Sequence, residues 1–87
     1  MYSKKNVVEA FLNQESLGSL NLFSDGTRLM SYGNCLAEWS EDSLIVNYTY
    51  YRDECTKHLN LLERLGQDYD TIKVLDIPIG AEHLIKI

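Results

Sequence analysis

The 87-residue chain carries 13 acidic and 8 basic residues, which give a formal net charge of −5. This balance disfavours direct binding to nucleic acid, because contacts to a phosphate backbone require clustered Lys and Arg side chains. No run of residues approaches the roughly 20 apolar residues that a membrane span needs. The hydrophobic fraction of 45 % is typical of a globular protein. We therefore expect a single small domain over residues 1–87 that contacts neither nucleic acid nor membrane directly.

The N-terminus and the two cysteines predict the compartment. The first residues lack the apolar stretch of a secretory signal. Proteins of the reducing cytoplasm rarely form disulfides. We therefore expect a cytoplasmic protein with Cys35 and Cys55 as thiols, and the alternative is a Cys35–Cys55 disulfide.

A short helix is predicted over residues 3–13. Ser3 suits the N-cap position, because its hydroxyl can accept a backbone amide of the first turn. Residues 14–18 are predicted to be a connector. The helix can bury one narrow apolar stripe, which consists of Val7, Val8, Phe11 and Leu12.

Two strands of an antiparallel meander are predicted next. The first covers residues 19–24 and ends at Asp25-Gly26, a hairpin turn signal because Gly accepts positive φ. The return strand begins at Thr27 and extends as far as Trp39. Gly33 lies inside it, and a glycine within a strand often marks a bulge.

The third strand follows a polar turn over residues 40–43 and begins at Leu44. β-Branched and aromatic residues continue it to Tyr51. Side chains alternate between the two faces of a strand. One face of this strand is apolar and the other is mixed, so we expect a sheet with one covered face.

An amphipathic helix then packs on the meander. Asp53 is the predicted N-cap, and Glu54 adds negative charge where the helix dipole favours it. Gly66 is predicted to be the left-handed residue just past the helix end. The apolar stripe recurs at spacings of three and four residues and consists of Cys55, Leu59, Leu61, Leu62 and Leu65.

The C-terminal part is predicted to be a strand or an extension. Residues 71–77 alternate in a pattern typical of a strand, and Pro78 and Gly80 end it. Residues 81–87 fit either a last strand or a helical turn. The predicted fold is α+β, with a three-stranded antiparallel meander, one amphipathic helix packed on it, a short N-terminal helix and the C-terminal strand or extension.

Cys55 and His58 lie one helical turn apart and, with Cys35 and His83, supply the ligand types of one zinc ion. Structural zinc sites usually contain two close ligand pairs, whereas Cys35 and His83 each stand alone. The alternative is a core cysteine beside a surface or capping histidine. We favour this alternative and expect neither a metal nor a cofactor.

Catalytic residues are not predicted. Cys55 lies in the first turn of the helix beside His58, a position that can favour a reactive thiol, but it also lies on the apolar stripe, where cysteine is usually inert packing. The acidic pairs Glu41-Asp42 and Asp53-Glu54 point apart, since neighbours on a turn do not converge on a substrate. We therefore predict a protein that is not an enzyme.

Exposed acids and aromatic residues near the turns are the candidate partner-binding residues. Tyrosine suits protein interfaces because it combines a flat ring with one polar tip. The predicted set consists of Glu41, Asp42, Tyr50, Tyr51, Asp53 and Glu54.

Two short motifs resemble a family of small phage and prophage proteins of unknown function. Residues 31–37, SYGNCLA, are similar to its pattern S-Y-x-T-x-I-A. Tyr51 and residues 57–60, KHLN, are similar to Y-S-x-T-T-x-K-H-x-N. The resemblance covers about the middle half of the chain. The chain departs from these patterns where Asn34 replaces Thr, Arg52 replaces Ser, and Glu54 and Cys55 replace the Thr pair.

The resemblance implies a phage or mobile-element origin and a role in the cytoplasm of a host cell. Small acidic phage proteins that bind and block host machinery, anti-CRISPR proteins among them, set the expectation. The expected function is therefore a non-enzymatic inhibitor that binds a host protein or ribonucleoprotein complex, such as a CRISPR effector. The alternative is a small phage structural or regulatory homodimer whose sheet edge pairs with itself and which inhibits nothing.

Overall fold

The computed structural model describes residues 2–84, which form two helices and a six-stranded sheet. Neighbouring strands pair in chain order, antiparallel from the first to the fifth and parallel between the fifth and the sixth. The predicted α+β class is confirmed, whereas the three-stranded meander was too coarse. The elements are α1 (Lys4–Leu12), β1 (Ser16–Ser19), β2 (Leu22–Asp25), β3 (Arg28–Ser31), β4 (Asn34–Ser40), β5 (Ser43–Asn47), α2 (Asp53–Leu65) and β6 (Thr71–Val74).

The first predicted strand, residues 19–24, covers the last residue of β1, a turn and most of β2. A turn at Leu20-Asn21 separates β1 from β2, and Ser19 pairs with Leu22 across it. Asn21 has a φ of 62°, which asparagine tolerates better than most residues. The prediction of a connector over residues 14–18 was wrong, because β1 occupies most of it. The turn at Asp25-Gly26 between β2 and β3 is confirmed.

The predicted return strand is also divided in two, as β3 and β4. Tyr32 and Gly33 form a two-residue turn with φ values of 51° and 81°, as in a hairpin turn with two left-handed residues. Gly33 therefore lies in a turn, and the prediction of a bulge at that position was wrong. Tyrosine rarely adopts a positive φ, so Tyr32 gave no local signal for this turn.

The bulge in this hairpin lies further along β4. Leu29 pairs with Ala37 and Met30 pairs with Cys35, which leaves Leu36 without a partner on β3. The extra residue lets two consecutive side chains of β4 face the helices: Leu36 lines a pocket with Cys55 and Leu59, and Ala37 lies in the larger core.

β5 ends at Asn47, earlier than the predicted Tyr51, because the Asn47 side chain closes a local turn. Its Oδ1 accepts the amide of Thr49 at 2.9 Å, and its Nδ2 donates to the carbonyl of Cys35 at 2.9 Å. The chain then crosses through α2 and returns as β6, parallel to β5. A parallel pair requires such a crossover, which explains why β6 does not extend the meander.

The caps of the two helices differ from one another. Ser3 caps α1 as predicted, and its Oγ accepts the amide of Asn6 at 3.1 Å. The prediction of Asp53 as the cap of α2 was wrong. Arg52 occupies that position without a side-chain bond, and Asp53 instead accepts a hydrogen bond from the Tyr50 hydroxyl at 2.8 Å. Gly66 follows the end of α2 as predicted, but its φ is −103°, so the prediction of a left-handed residue there was wrong.

The helices and the C-terminal segment cover opposite faces of the sheet. Side chains of both helices pack with the inward residues of β2 to β5 in the larger core. On the other face, residues 75–84 lie against a smaller cluster. Residues 81–84 are neither helix nor strand, and residues 85–87 lie outside the described part of the chain. The smaller cluster consists of Met30, Cys35, Ile45 and Leu84, with Val74 and Ile77 packed against it.

Candidate functional site

The order of the strands collects most loop acids at one end of the sheet. The β2–β3 turn, the β4–β5 turn and the start of β6 all lie at this end, as do the last turns of both helices. Among the described residues, the basic side chains Arg28 and Arg64 lie there as well. We call this end the acidic end, and the acidic residues in its loops and at its strand ends are Glu15, Asp25, Glu41, Asp42, Asp68 and Asp70.

Asp25 is the one acid of this group that serves the fold. Its carboxylate accepts the amides of Thr27 and Arg28 and pairs with the Arg28 guanidinium at 2.9 Å. Partial burial alone would raise the pKa of Asp25, but these bonds lower it below the usual value. Within residues 2–84, no ion pair engages the other five acids, so their charges are directed to solvent.

The remaining predicted binding residues lie at the opposite end, where α2 begins. Tyr50 is 67 % exposed. The Glu54 carboxylate pairs with the Arg52 side chain at 3.1 Å, and this ion pair partly neutralises the charge of Glu54. Tyr51 is half-buried, because its hydroxyl donates to the carbonyl of Ile77 and accepts from Asn47, both at 2.8 Å. Tyr51 therefore anchors the C-terminal segment rather than projecting toward a partner.

The six predicted binding residues thus fall into two groups separated by the length of β5. Glu41 and Asp42 belong to the acidic end, and the other four surround the start of α2. Asp68 and Asp70, which sequence reasoning missed, join the first group. The sequence does show an acidic loop just before the last strand. That loop can be assigned to the acidic end only when the strand is known to start beside the start of β5.

An open groove of about 210 Å³ lies between α2 and β6, next to the acidic end. The Lys73 ammonium lies 5.0 Å from the centre of the Tyr48 ring, a cation–π distance. Burial and the adjacent Glu63 carboxylate raise the pKa of Tyr48. The groove, which we call the β6 groove, is lined by Leu44, Val46, Tyr48, Leu62, Glu63, Gly66, Gln67, Tyr69, Thr71 and Lys73.

Cys55 and His58 do come together, but in the core. The Ser31 Oγ lies 3.3 Å from the Cys55 Sγ and 2.7 Å from the His58 Nδ1. Cys55 is 2 % exposed and His58 is 7 % exposed. Burial lowers the pKa of His58, so its position in the fold favours the neutral ring. The interpretation of His58 as a surface or capping histidine was therefore wrong.

Access to His58 is closed further by a stack of side chains. The Tyr32 ring stacks on the His58 ring with centroids 6.2 Å apart, and the Arg52 guanidinium lies 4.0 Å above the Tyr32 ring. The cluster of Ser31, Cys55 and His58 is thus part of the packing between the β3–β4 turn and α2.

The two cysteines are buried and free, with Cys35 on the face of the C-terminal segment and Cys55 on the helix face. Burial raises the pKa of Cys35 to about 12. Among residues 2–84, no three His, Cys, Asp or Glu side chains converge to hold a metal ion. Neither described helix has the length and apolar content required to cross a bilayer.

None of the family models, curated proteins or solved structures compared with this chain matches it. The choice of a binding surface therefore depends on the geometry of the chain itself, and this geometry favours the acidic end with the adjoining β6 groove.

Proposed function

We propose that this chain is a non-enzymatic binding protein of phage type that covers a basic surface on a larger host protein or ribonucleoprotein complex, such as a CRISPR effector. The observation that carries the binding role is the collection of five acids without ion pairs on the loops of one end. The phage setting depends on the motif resemblance of residues 31–37 and 57–60.

The acids of this end are suited to a partner because the fold does not need them. Glu41 and Asp42 are exposed on a tight turn between two core strands, so their position is set by a rigid scaffold. Complementary charge accelerates association with a basic partner and suppresses binding to acidic ones. The exposed Tyr69 ring, which packs edge-on against Trp39, adds an aromatic anchor beside Asp68 and Asp70.

The buried position of the nucleophilic side chains supports a role without catalysis. The Ser31 hydroxyl lies within hydrogen-bond distance of both the Cys55 thiol and the His58 ring, and the Tyr32 ring stacks on His58. A thiol or hydroxyl that attacks a substrate must be reached by that substrate in a near-attack geometry. The core position of these three groups does not offer that access.

Charge reversal at each end of the sheet tests the proposal. A tagged protein first isolates its partner from bacterial lysate, and binding of the purified partner is then measured as a function of salt. We expect Glu41→Lys with Asp42→Lys to weaken binding about tenfold or more and to reduce its salt dependence. The matched pair Asp53→Lys with Glu54→Lys should change the affinity by no more than about twofold.

Both double variants should keep the wild-type circular dichroism spectrum, since all four residues lie at the surface. Unchanged affinity after reversal of Glu41 and Asp42 contradicts the proposed role of the acidic end. If only the Asp53 and Glu54 variant loses affinity for the partner, the binding surface lies at the start of α2 and not at the acidic end.

A second candidate function is the phage homodimer, because β1 and β6 leave two sheet edges unpaired within residues 2–84. Such a protein would sediment as a dimer at micromolar concentration. A monomer under those conditions argues against it.

A further inference from the structure

The outer edge of β6 is open within the described part of the chain. β6 is the last strand in the sheet order, and Thr71, Ile72 and Lys73 are all exposed. Exposed edges can be extended by a strand from another chain, and native proteins usually cover or blunt them. Neither helix covers this edge, since α1 packs over β1 to β3 and the β6 groove separates α2 from β6.

The register of β6 determines which backbone groups point outward. Val74 lies opposite Asn47, and its carbonyl accepts the amide of Tyr48 at 2.8 Å, so the polar groups of Val74 point toward β5. The amide and carbonyl of one strand residue point to the same side, and neighbouring residues alternate. The amides and carbonyls of Thr71 and Lys73 therefore point away from the sheet.

Side chains on both faces of this edge can receive a neighbouring strand. On the helix face, Lys73 and Thr71 border the β6 groove, whose floor is formed by buried Leu44, Val46 and Leu62. The groove has room for one side chain and not for a metabolite-sized ligand. On the other face, Ile72 is 52 % exposed and presents an apolar surface.

The charges around the outer edge of β6 indicate which kind of peptide segment can bind there. Asp68 and Asp70 precede β6, Asp76 follows it, and Glu63 borders the groove. Within residues 2–84, these four carboxylates and the ammonium of Lys73 together carry a formal net charge of −3. A segment with basic residues at both ends complements this distribution, and its central residues face the groove and Ile72.

We propose that β6 is a docking edge for an extended segment of a partner protein in which two adjacent apolar residues are flanked by Lys or Arg. The segment adds a seventh strand, with main-chain hydrogen bonds to Thr71 and Lys73. One apolar side chain enters the β6 groove, and the next covers Ile72. The inference rests on the proposed function and identifies the element by which the acidic end would hold its basic partner.

A second copy of the chain suits this edge less well than a basic segment. Pairing β6 with β6 would bring the same net negative charge to both sides of the new ladder. Like charges placed opposite one another destabilise a sheet. Self-association therefore lacks the charge complementarity that a segment rich in Lys and Arg provides.

The test uses a capped octapeptide, acetyl-Lys-Arg-Thr-Tyr-Val-Thr-Lys-Arg-amide, and ¹⁵N-labelled protein. We expect amide shift changes concentrated at residues 70–76 and at the lining of the β6 groove. A peptide of the same centre with Asp and Glu in place of Lys and Arg should bind at least about tenfold more weakly. Shift changes elsewhere, equal affinities or no binding at millimolar peptide would each overturn the proposal.

Two substitutions at one position separate strand addition from simple charge attraction. Lys73→Pro removes an outward amide and leaves the bonds to β5 in place, as proline is tolerated on edge strands in this orientation. Lys73→Thr keeps that amide and removes the same charge. We expect Lys73→Pro to weaken peptide binding about tenfold relative to Lys73→Thr. Equal binding by the two variants would falsify strand addition.

N-methylated peptides test strand addition with the wild-type protein, so the result does not depend on how the Lys73 variants fold. Methyl groups on one set of alternate amides should abolish binding, and methyl groups on the other set should not, because only one set faces β6. Equal tolerance of both sets contradicts the proposal. A dimer in sedimentation that Lys73→Pro dissociates would also overturn it, in favour of a second copy.

The experiment distinguishes this inference from the proposed function. If the peptide fails to bind while reversal of Glu41 and Asp42 still weakens the purified partner, only the docking edge is wrong. If the peptide binds at β6 while that reversal leaves the partner unaffected, the acidic end is not the surface that holds the partner.

Discussion

Buried polar side chains each require a hydrogen-bond partner inside the fold. Ser31, Asn47 and His58 are all buried, and each has a hydrogen-bond partner at 2.9 Å or less. A buried polar group without such a partner costs about 1–3 kcal/mol. No buried side-chain nitrogen or oxygen within residues 2–84 lacks a partner, so these residues specify the core instead of weakening it.

His58 should make stability depend on pH. Burial lowers its pKa below the usual 6.5, with a further contribution from the nearby Lys4 ammonium that exceeds the opposing effect of Glu54. Below pH 6.5, the unfolded chain therefore binds a proton that the folded chain does not bind. We expect the free energy of unfolding to fall as the pH decreases from 7 toward the lowered pKa of His58, as measured by urea denaturation.

The control for this effect is the second histidine. His58→Gln should reduce the dependence of the free energy of unfolding on pH. His83→Gln should leave the contribution of His58 to that dependence unchanged. An unchanged dependence in His58→Gln would show that folding does not lower the pKa of His58.

At the scale of elements, the turn between β3 and β4 is the least expected feature. Two consecutive residues, Tyr32 and Gly33, have positive φ there. Tyr32 stacks on His58 and lies under Arg52, so packing from α2 compensates for the conformational cost of a tyrosine in this region. A local rule would have assigned asparagine or glycine to that position.

Gly33→Ala should destabilise the protein by about 1–2 kcal/mol, because an L side chain at a φ of 81° is strained. The added methyl group would meet no atom within 4 Å, so the loss reflects the backbone alone. Urea denaturation measures the change. The matched control Gly18→Ala, in β1, places its methyl group at an ordinary 3.6 Å from the Phe23 Cβ and should cost distinctly less.

Other elements followed their local signals. The helix predicted over residues 3–13 is observed as α1, and the hairpin turn at Asp25-Gly26 and the polar turn at residues 40–43 lie where predicted. Of the candidate site, the exposure of Glu41 and Asp42 was predictable from turn chemistry. The groove beside β6 was not, because it exists only where a strand distant in sequence lies parallel to β5.

For the whole molecule, the C-terminal segment closes the sheet face that lacks helices. Glu38 is 5 % exposed on that face. Its carboxylate accepts the Leu84 amide at 2.8 Å and contacts the His83 Nδ1 at 2.9 Å. Asn34 accepts the Gly80 amide at 3.1 Å. Side chains of β4 thus hold residues 75–84 in place. A further β-strand would instead have been held by backbone hydrogen bonds.

Glu38→Gln should loosen this segment and lower the free energy of unfolding by about 1–3 kcal/mol, because an amide cannot accept at both positions. Hydrogen exchange should accelerate at the Leu84 and Gly80 amides before it does in β2 to β5. The exposed neighbour Glu82 provides the control, since Glu82→Gln leaves these bonds intact. Equal effects of the two substitutions would show that Glu38 does not hold the segment.

The sequence by itself determined the α+β class, the approximate positions of both helices and two of the turns, because caps, periodicity and turn residues act over a few neighbours. Only the tertiary structure decided the number of strands, the parallel return of β6, the burial of His58 and the convergence of acids at one end. Each of these depends on contacts between residues far apart in the chain, and local propensity carries no information about such contacts.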